Sequence, residues 1–306
     1  MREWKKQGEW LVTHLSSADA DMPIGNLLRE QWKLPRKQVH LLFQHKEVSL
    51  DKENVAQHVP VQAGQELRLR LCPPEPYGVE PAVEPLEVLY EDDHLLIVYK
   101  PAGVLLHPTQ PDHQGTLDHL VAGHFARTGV QAKVRHVHRL DQDTSGVVLY
   151  AKHAWASALL DEQLRLRTIK RTYLAFVHGH VERQSGKIDK PIGKDRNHPS
   201  RRRVTANGDT AITTYEVVER YRDATLLRCR LETGRTHQIR VHLSHIGHPL
   251  IGDALYGGKT KLIARQALHA YRLEVIHPFD RRQITAEAPL PADLASLKST
   301  LANAPL

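Results

Sequence analysis

The sequence predicts an α+β protein with two domains, a small one over residues 1–71 and a larger one over residues 86–306. Two observations lead to this class. Apolar residues at helical spacing alternate with short strand-like runs in both parts of the chain. Between the two parts, residues 72–85 carry five prolines, which are incompatible with helix interiors and central strands and favour an extended, semi-rigid linker.

The composition is that of a globular protein with a basic surface. Of the 306 residues, 41% are hydrophobic and 25% are charged, as in ordinary soluble domains. The 42 Lys and Arg against 35 Asp and Glu leave a net charge of +7 and a pI near 9.3. This balance favours a polyanionic partner, nucleic acid first and a membrane surface second.

The cysteines and the chain start indicate a cytoplasmic protein. Cys72 and Cys229 lie far apart in the sequence, so no disulfide framework is predicted and a reducing compartment fits. The first residues lack the apolar stretch of a signal peptide. No run approaches the roughly 20 apolar residues that a membrane-spanning helix needs, and we expect no membrane association.

In the small domain, two helices and three short strands are predicted. The first helix ends before Pro35, and its apolar residues are Ile24, Leu27, Leu28 and Trp32. The second covers residues 35–43, with Arg36 and Lys37 in its first turn. The strands are expected at residues 48–50, 59–61 and 66–71.

In the large domain, helices and strands are predicted in mixed order. The strands are expected at residues 87–90, 95–99, 147–151, 168–177, 226–231, 275–278 and 284–286. The helices are expected at residues 116–125, 154–166 and 237–246, the last with Thr236 as candidate N-cap. Residues 194–208 are predicted to be a polar loop, and residues 252–257 a second loop.

The stretch over residues 138–146 (HRLDQDTSG) brings a base, a cation and an acid together directly before a buried strand. A carboxylate at the mouth of such a strand can be held rigidly while it faces a cleft. The alternative is an Asx-type turn, in which Asp141 or Asp143 bonds only nearby backbone amides. Spacing alone leaves both interpretations open.

Four blocks of sequence resemble motifs of the RluA-type pseudouridine synthases, which isomerise uridine in RNA. Residues 138–146 resemble the central signature of that family, and residues 234–242 (GRTHQIRVH) its later motif. Residues 100–108, which begin KPAG, are similar to the opening motif, and residues 170–175 (KRTYLA) to the tyrosine motif. The four blocks stand in the family's order.

The resemblance implies a mixed, largely antiparallel-sheet catalytic domain. The small domain is similar to the alpha-L RNA-binding module that often precedes such domains, but His45-Lys46-Glu47 and Asp51-Lys52 replace the usual glycine and Asn-Gly turn. The implied activity is conversion of uridine to pseudouridine in ribosomal or transfer RNA. A non-catalytic RNA-binding or ribosome-assembly protein is the alternative, against which the intact motifs argue.

The resemblance also implies which residues form the active site. Asp141 matches the essential carboxylate, which acts as nucleophile at the ribose or removes a sugar proton to give a glycal. Asp143 falls on a variable position and receives no role. Arg240 matches the partner of that carboxylate and favours its ionised form. Tyr173 matches the residue that stacks on the target ring.

Contacts with RNA are expected at the motif and at two basic clusters. Because a paired uridine must be flipped out to react, Arg139 is expected to fill the space that it leaves. His138 is expected to orient this loop at the RNA interface. The clusters expected to contact the RNA backbone are Arg201, Arg202 and Arg203 in the polar loop, and Arg36 and Lys37 in the small domain.

We expect neither an organic cofactor nor a metal, because the isomerisation changes no oxidation state and requires no energy input. The 21 histidines raise the alternative of a zinc site, since His242, His245 and His248 stand three residues apart. Gly247 and Pro249 end that helix too early, however, and no thiolate or acidic residue has ligand spacing nearby. The expected partner is RNA, bound by a monomer.

Overall fold

A computed structural model describes residues 4–110 and 112–303. Its first sheet lies in the small domain and consists of β1 (Lys5–Gln7), β2 (Trp10–His14), β3 (Val48–Leu50), β4 (Glu53–Asn54) and β5 (Glu66–Arg70). The sheet is antiparallel, with the strand order β1-β2-β5-β3-β4. The predicted strand at residues 59–61 is wrong, because that segment contributes only a single bridge, between Pro23 and Pro60.

The two predicted helices of the small domain are present, and the first changes type along its length. It begins as α1 (Ile24–Asn26) and continues as a π-helix over Leu27–Gln31. Its predicted apolar face is buried. The second helix is α2 (Arg36–Gln44), with Pro35 at its N-cap. Proline suits this position because its missing N–H would have had no partner inside the helix.

The predicted linker has neither helix nor strand, but it lies against the large domain instead of spanning solvent. The Ala82 N–H donates to the His119 carbonyl at 3.0 Å. Gly123 allows this approach, because a Cβ there would stand 1.9 Å from the Ala82 carbonyl oxygen. The linker is therefore held along one helix of the large domain.

The large domain is built on a long, largely antiparallel sheet, as predicted. Its strands are β6 (Val88–Glu91), β7 (Leu95–Lys100), β8 (Ser145–Ala151), β9 (Lys170–His178), β10 (Ser185–Asp189), β13 (Ile212–Arg220), β14 (Ala224–Leu231), β15 (Leu268–Ile276) and β16 (Gln283–Glu287). Their order is β10-β13-β14-β9-β15-β8-β7-β6, with β16 paired to β15. Of the pairings described, only β15 with β8 is parallel. The predicted α+β class is confirmed.

Four helices of the described chain pack around this sheet: α3 (Leu117–Thr128), α4 (Ala154–Arg165), α5 (Gln238–His245) and α6 (Ala292–Ala302). The sequence pattern did not predict α6, β10, β13 or residues 268–274 of β15. It also placed the N-cap of α5 one residue early, since His237, not Thr236, is the N-cap. Every residue of β8 is buried, which explains its continuous apolar sequence.

The predicted polar loop at residues 194–208 overlaps a two-stranded ribbon. Strands β11 (Ile192–Lys194) and β12 (Arg202–Val204) pair antiparallel, with Lys194 opposite Arg202. The strands were not predicted because a narrow ribbon buries little apolar surface, so its polar, basic sequence lacks the alternation of apolar and polar residues that indicates a strand. The cluster Arg201–Arg203 is thus carried by a hairpin, which we call the basic ribbon.

Aromatic rings join the small domain to the large one. Trp4 packs edge-on against Trp32 and against Trp155 of α4, with ring centroids 5.1 Å apart in each pair. Trp155 in turn packs against Phe279, which follows β15, at 4.6 Å. Such pairs contribute about 0.5–1.5 kcal/mol each beyond their buried area.

No described helix is long and apolar enough to span a bilayer.

Candidate active site

A cavity of about 450 Å³ opens at the middle of the long sheet, where β8, β15 and β9 lie side by side. This volume is within the usual range for small-ligand sites. Five predicted residues line it together: His138, Arg139, Asp141, Tyr173 and Arg240. The fold therefore brings the central, tyrosine and later motifs to one place.

Asp141 stands in a tight turn that enters β8. The turn is closed by the Thr144 N–H, which donates to the backbone carbonyl of Asp141 at 3.1 Å. Its carboxylate is thereby left free to accept from Arg240. Gly146 is required near the end of the turn, because its φ is +125° and a Cβ would lie 2.2 Å from the Ala270 carbonyl oxygen. The turn is closed by backbone atoms and not by a carboxylate, so it is not the Asx-type turn that the sequence left open.

Lys100, in the opening motif, holds this turn by hydrogen bonds to backbone carbonyls. Its fully buried ammonium donates to the carbonyls of Pro101 at 2.9 Å, Val104 at 2.6 Å and Gln142 at 2.6 Å. Three acceptors satisfy the three donors of an ammonium group. Burial lowers the pKa of Lys100 to about 8, against the opposing charges of Asp143 and Asp141. The opening motif is thus attached to the loop that carries Asp141.

Arg240, on α5, binds two carboxylates at once. Its Nε and Nη2 donate to Asp253 at 2.8 and 2.9 Å, and its Nη1 donates to Asp141 at 3.0 Å. The side chain of Asp253 is 1% exposed, that of Arg240 9% and that of Asp141 19%. The buried partner is therefore Asp253, and Asp141 is the carboxylate that faces the cavity.

The two carboxylates explain how the guanidinium of Arg240 is kept in the core. Burial by itself lowers the pKa of Arg240, but its bonds to Asp253 and then Asp141 outweigh burial, so the pKa is raised. One cation serves two anions, which leaves one negative charge at the cavity. Sequence reasoning missed Asp253. A single carboxylate among the apolar residues of segment 249–256 could have indicated a buried, paired aspartate, but most of this segment was predicted as a plain loop.

Tyr173 stands on β9 with its ring against the cavity. It is 4% exposed, and burial raises the pKa of its hydroxyl against the opposing charge of Arg171. The ring is therefore un-ionised and presents an apolar surface beside Asp141. An aromatic ring in this place can stack on a planar base and limit the access of water.

Two motif residues that precede Asp141 differ sharply in environment. His138 is buried, and burial lowers the pKa of its imidazole to about 3, so the ring is neutral. Its Nε2 accepts from the Leu149 N–H at 3.3 Å, which ties the motif to β8. Arg139 is exposed at the cavity. Of the pair, Arg139 is the one whose side chain is open to solvent at the cavity.

A series of polar contacts that the sequence did not predict runs from Asp141 in the cavity to the basic ribbon. His237 Nε2 lies 3.9 Å from Asp141 Oδ2, and His237 Nδ1 lies 2.9 Å from the Tyr256 hydroxyl. That hydroxyl also accepts from the Arg202 N–H at 2.9 Å. The Tyr256 ring further packs against Arg240, whose Cζ is 5.0 Å from the ring centroid.

The predicted basic clusters lie outside the cavity wall. Arg201 and Arg203 are exposed on the basic ribbon, and Arg202 is partly exposed. Arg36 and Lys37 lie at the start of α2 in the small domain, where Arg36 lines a separate open depression with Arg29 and Lys33. An RNA that reaches both clusters has to extend beyond the cavity.

The histidine triplet lies on and just after α5, and hydrogen bonds engage two of its members. His242 has Thr213 Oγ1 at one ring nitrogen and the Lys190 carbonyl at the other, both at 2.9 Å. His248 Nδ1 donates to the His178 carbonyl at 2.9 Å. Within residues 4–110 and 112–303, no group of three or more His, Cys, Asp or Glu side chains is arranged to hold a metal ion.

Comparison with known protein families assigns both parts of the chain. Residues 94–245 match the family described as RNA pseudouridylate synthase. Residues 12–67 match the RluD ribosomal pseudouridine synthase N-terminal domain. The first match contains the cavity residues from Arg139 to Arg240.

Curated relatives extend over nearly the whole chain. An RNA pseudouridine synthase of Bacillus subtilis, YhcT, is 44% identical over 299 residues, which cover 97% of this chain and 94% of the relative. The ribosomal large subunit pseudouridine synthase D of Nitrosomonas europaea is 39% identical, covering 95% and 87% of the two chains. Among solved structures, human RNA pseudouridylate synthase domain containing 1 superimposes with a TM-score of 0.58 at 26% identity, covering 74% of this chain and 99% of that one.

Fold, site and relatives thus define an RNA-modifying isomerase. The chain belongs to the RNA pseudouridylate synthase family, in its RluA-type branch. It is an enzyme that converts uridine to pseudouridine in RNA.

Proposed function

We propose that this enzyme isomerises uridines of ribosomal RNA, with Asp141 as its essential carboxylate. The observation that carries the assignment is the position of Asp141, which faces the cavity while the buried Arg240 holds one of its oxygens at 3.0 Å. The reaction needs an ionised carboxylate at the junction of sugar and base, and a nearby guanidinium favours that charged form. Asp141 can act there as nucleophile or as base.

Each neighbouring group has a task in this proposal. Tyr173 stacks on the uracil, whose ring must turn within the cavity before it is rejoined to the sugar through carbon-5. Arg139 takes the place of the flipped nucleotide and bonds its orphaned partner base. His138 holds the loop by its bond to β8 and contributes the floor of the RNA interface. Arg240 keeps Asp141 charged and aligned.

Ribosomal RNA is favoured over transfer RNA by the relatives. Several of them, including the one from Nitrosomonas europaea, are named ribosomal large subunit pseudouridine synthase D. The match of residues 12–67 to the N-terminal domain of such a protein points the same way. In this proposal Arg36, Lys37 and the basic ribbon contact phosphates outside the cavity, and the enzyme acts as a monomer in the cytoplasm.

The test is to map pseudouridines in total RNA from cells with and without the gene. Loss of the gene is expected to remove pseudouridine from defined ribosomal sites, and the wild-type gene to restore them. Asp141→Asn keeps the side-chain shape but removes its charge, so it should not restore them. Asp143→Asn, two residues on, is the matched control and should restore them fully.

Two outcomes contradict the proposal separately. Disappearance of sites from transfer RNA alone would refute the choice of substrate. Restoration by Asp141→Asn to within about tenfold of the wild-type rate would refute the role of Asp141.

A further inference from the structure

His237 lies beside Asp141 with a backbone conformation that is uncommon for residues other than glycine. It caps α5 with φ 58° and ψ 21°, a left-handed geometry that is retained where the surroundings impose it, often at functional sites. Its side chain is 15% exposed and lines the cavity. The backbone thus places an imidazole next to the carboxylate.

Tyr256 determines which nitrogen of this imidazole carries the proton. The Tyr256 hydroxyl accepts from the Arg202 N–H at 2.9 Å, and it lies 2.9 Å from His237 Nδ1. The Arg202 N–H can only donate, so the hydroxyl accepts there. Among the described residues, His237 Nδ1 is the acceptor within reach of the hydroxyl's own proton, which is therefore donated to Nδ1. Burial lowers the pKa of His237, against the charge of Asp141, so the ring is neutral. Its proton is then on Nε2, the nitrogen that faces Asp141.

The two oxygens of Asp141 are not equivalent. Oδ2 accepts from Arg240 Nη1 at 3.0 Å and lies 3.9 Å from His237 Nε2. Oδ1 receives no hydrogen bond from any residue that the structure describes. The hydrogen bond from Arg240 engages Oδ2 alone and leaves Oδ1 available to the cavity.

We propose that His237 is a positioning residue for the isomerisation: its Nε2–H, in the tautomer fixed by Tyr256, holds Asp141 Oδ2 so that Oδ1 faces the uridine. The inference rests on the proposed role of Asp141. The 3.9 Å separation closes by about 1 Å to form a hydrogen bond, as such contacts commonly do once substrate is bound.

Two amide substitutions separate this role from a purely structural one. In His237→Gln the amide nitrogen reaches the place of Nε2, whereas in His237→Asn it reaches only that of Nδ1. The left-handed backbone favours the opposite order, because asparagine and glycine adopt it more readily than glutamine. If His237 has only a structural role, the Asn and Gly variants should keep the highest kcat. If it positions Asp141, the Gln variant should.

The experiment measures kcat and KM on an RNA substrate, together with the melting temperature. We expect His237→Gln to keep kcat within about tenfold of wild type, and His237→Asn and His237→Gly to reduce it by about 100-fold, with KM little changed. Tyr256→Phe should lower kcat when residue 237 is histidine, because the hydroxyl that selects the imidazole tautomer is lost. In the His237→Gln background the same substitution should not lower kcat further, because glutamine has no tautomers.

A higher kcat for the Asn or Gly variant than for the Gln variant would overturn the proposal, as would changes confined to KM. Asp141→Asn in the same assay keeps the two hypotheses apart. If that variant turns over, the role of Asp141 itself is refuted. If it is inactive and the Gln and Asn variants reverse their order, only the role of His237 is refuted.

Discussion

Arg240 gives Asp253 two of its nitrogens and Asp141 only the third. The bidentate pair with Asp253 is the buried one, and the single bond to Asp141 is partly exposed. Removing one partner of a buried ion pair costs about 3–5 kcal/mol, because the other charge is stranded. Substitutions of Arg240 therefore change the stability of the fold as well as the contact with Asp141.

The first prediction is that Arg240 holds Asp141 in place for the reaction. Arg240→Met alone leaves the buried Asp253 without a partner, so the variant to test is Arg240→Met combined with Asp253→Asn. Without the guanidinium, Asp141 Oδ2 loses the donor that lies at 3.0 Å, and kcat should fall by about 100-fold. Single-turnover rates measure this.

Arg240→Lys is the companion variant. An ammonium cannot reproduce the planar two-pronged contact, so we expect both kcat and melting temperature to fall. A double variant that folds, binds RNA and keeps the wild-type kcat would refute the pairing of Arg240 with Asp141.

The second prediction concerns the basic ribbon. Replacing Arg201, Arg202 and Arg203 by Ala should weaken RNA binding and flatten its salt dependence, by up to about one unit of log–log slope for each phosphate that the ribbon no longer neutralises. The bond from the Arg202 N–H to Tyr256 is made by the backbone, so it survives. Binding measured at several salt concentrations gives the slope.

The control for the ribbon removes the same charge elsewhere. Arg183, Arg222 and Arg281 are exposed and lie outside the ribbon, and their triple Ala variant should keep a wild-type slope. Equal slopes for the two variants would mean that the ribbon charges act only through net charge.

The third prediction is that chelators leave activity unchanged. We assign no metal, and hydrogen bonds engage both ring nitrogens of His242. The assay compares turnover before and after prolonged EDTA treatment. Activity that disappears with EDTA and returns with zinc would revive the histidine-cluster alternative.

The fourth prediction concerns acid stability. Burial lowers the pKa of His94 to about 4 and that of His153 well below its ordinary value, whereas both titrate near 6.5 in an unfolded chain. Their native environments favour the neutral rings, so this stability is present above about pH 6.5 and is lost as pH falls toward about 4. Unfolding at pH 5.5 should therefore take up protons.

His153→Asn tests this with the helix cap retained. His153 accepts from the Ala156 N–H at the start of α4, and asparagine is equally suited to that N-cap position. Proton uptake on unfolding at pH 5.5, measured in weakly buffered solution, should fall by about one. An unchanged uptake would show that His153 is not held neutral in the native protein.

The sequence by itself determined the local features of this protein. Periodic apolar residues placed the strands β7, β8 and β9 and the helices α3 and α4 near their observed positions, because neighbouring residues dictate such elements. The motif around Asp141 indicated both the chemistry and its place before a buried strand. The weakly amphipathic α6 and the polar basic ribbon were not predicted from the sequence, because neither has a strong hydrophobic pattern.

Only the tertiary structure decided how the site is held together. The bond from Arg240 to Asp141 joins residues 99 apart, and that from Ser145 to His269 residues 124 apart. Periodicity carries no information on contacts at such separations. That Asp253 shares the guanidinium, and that Tyr256 lies within hydrogen-bonding distance of His237 beside Asp141, follows from the packing of α5 and its following loop against the long sheet. The pairing of charges and the orientation of side chains at the cavity are properties of that packing.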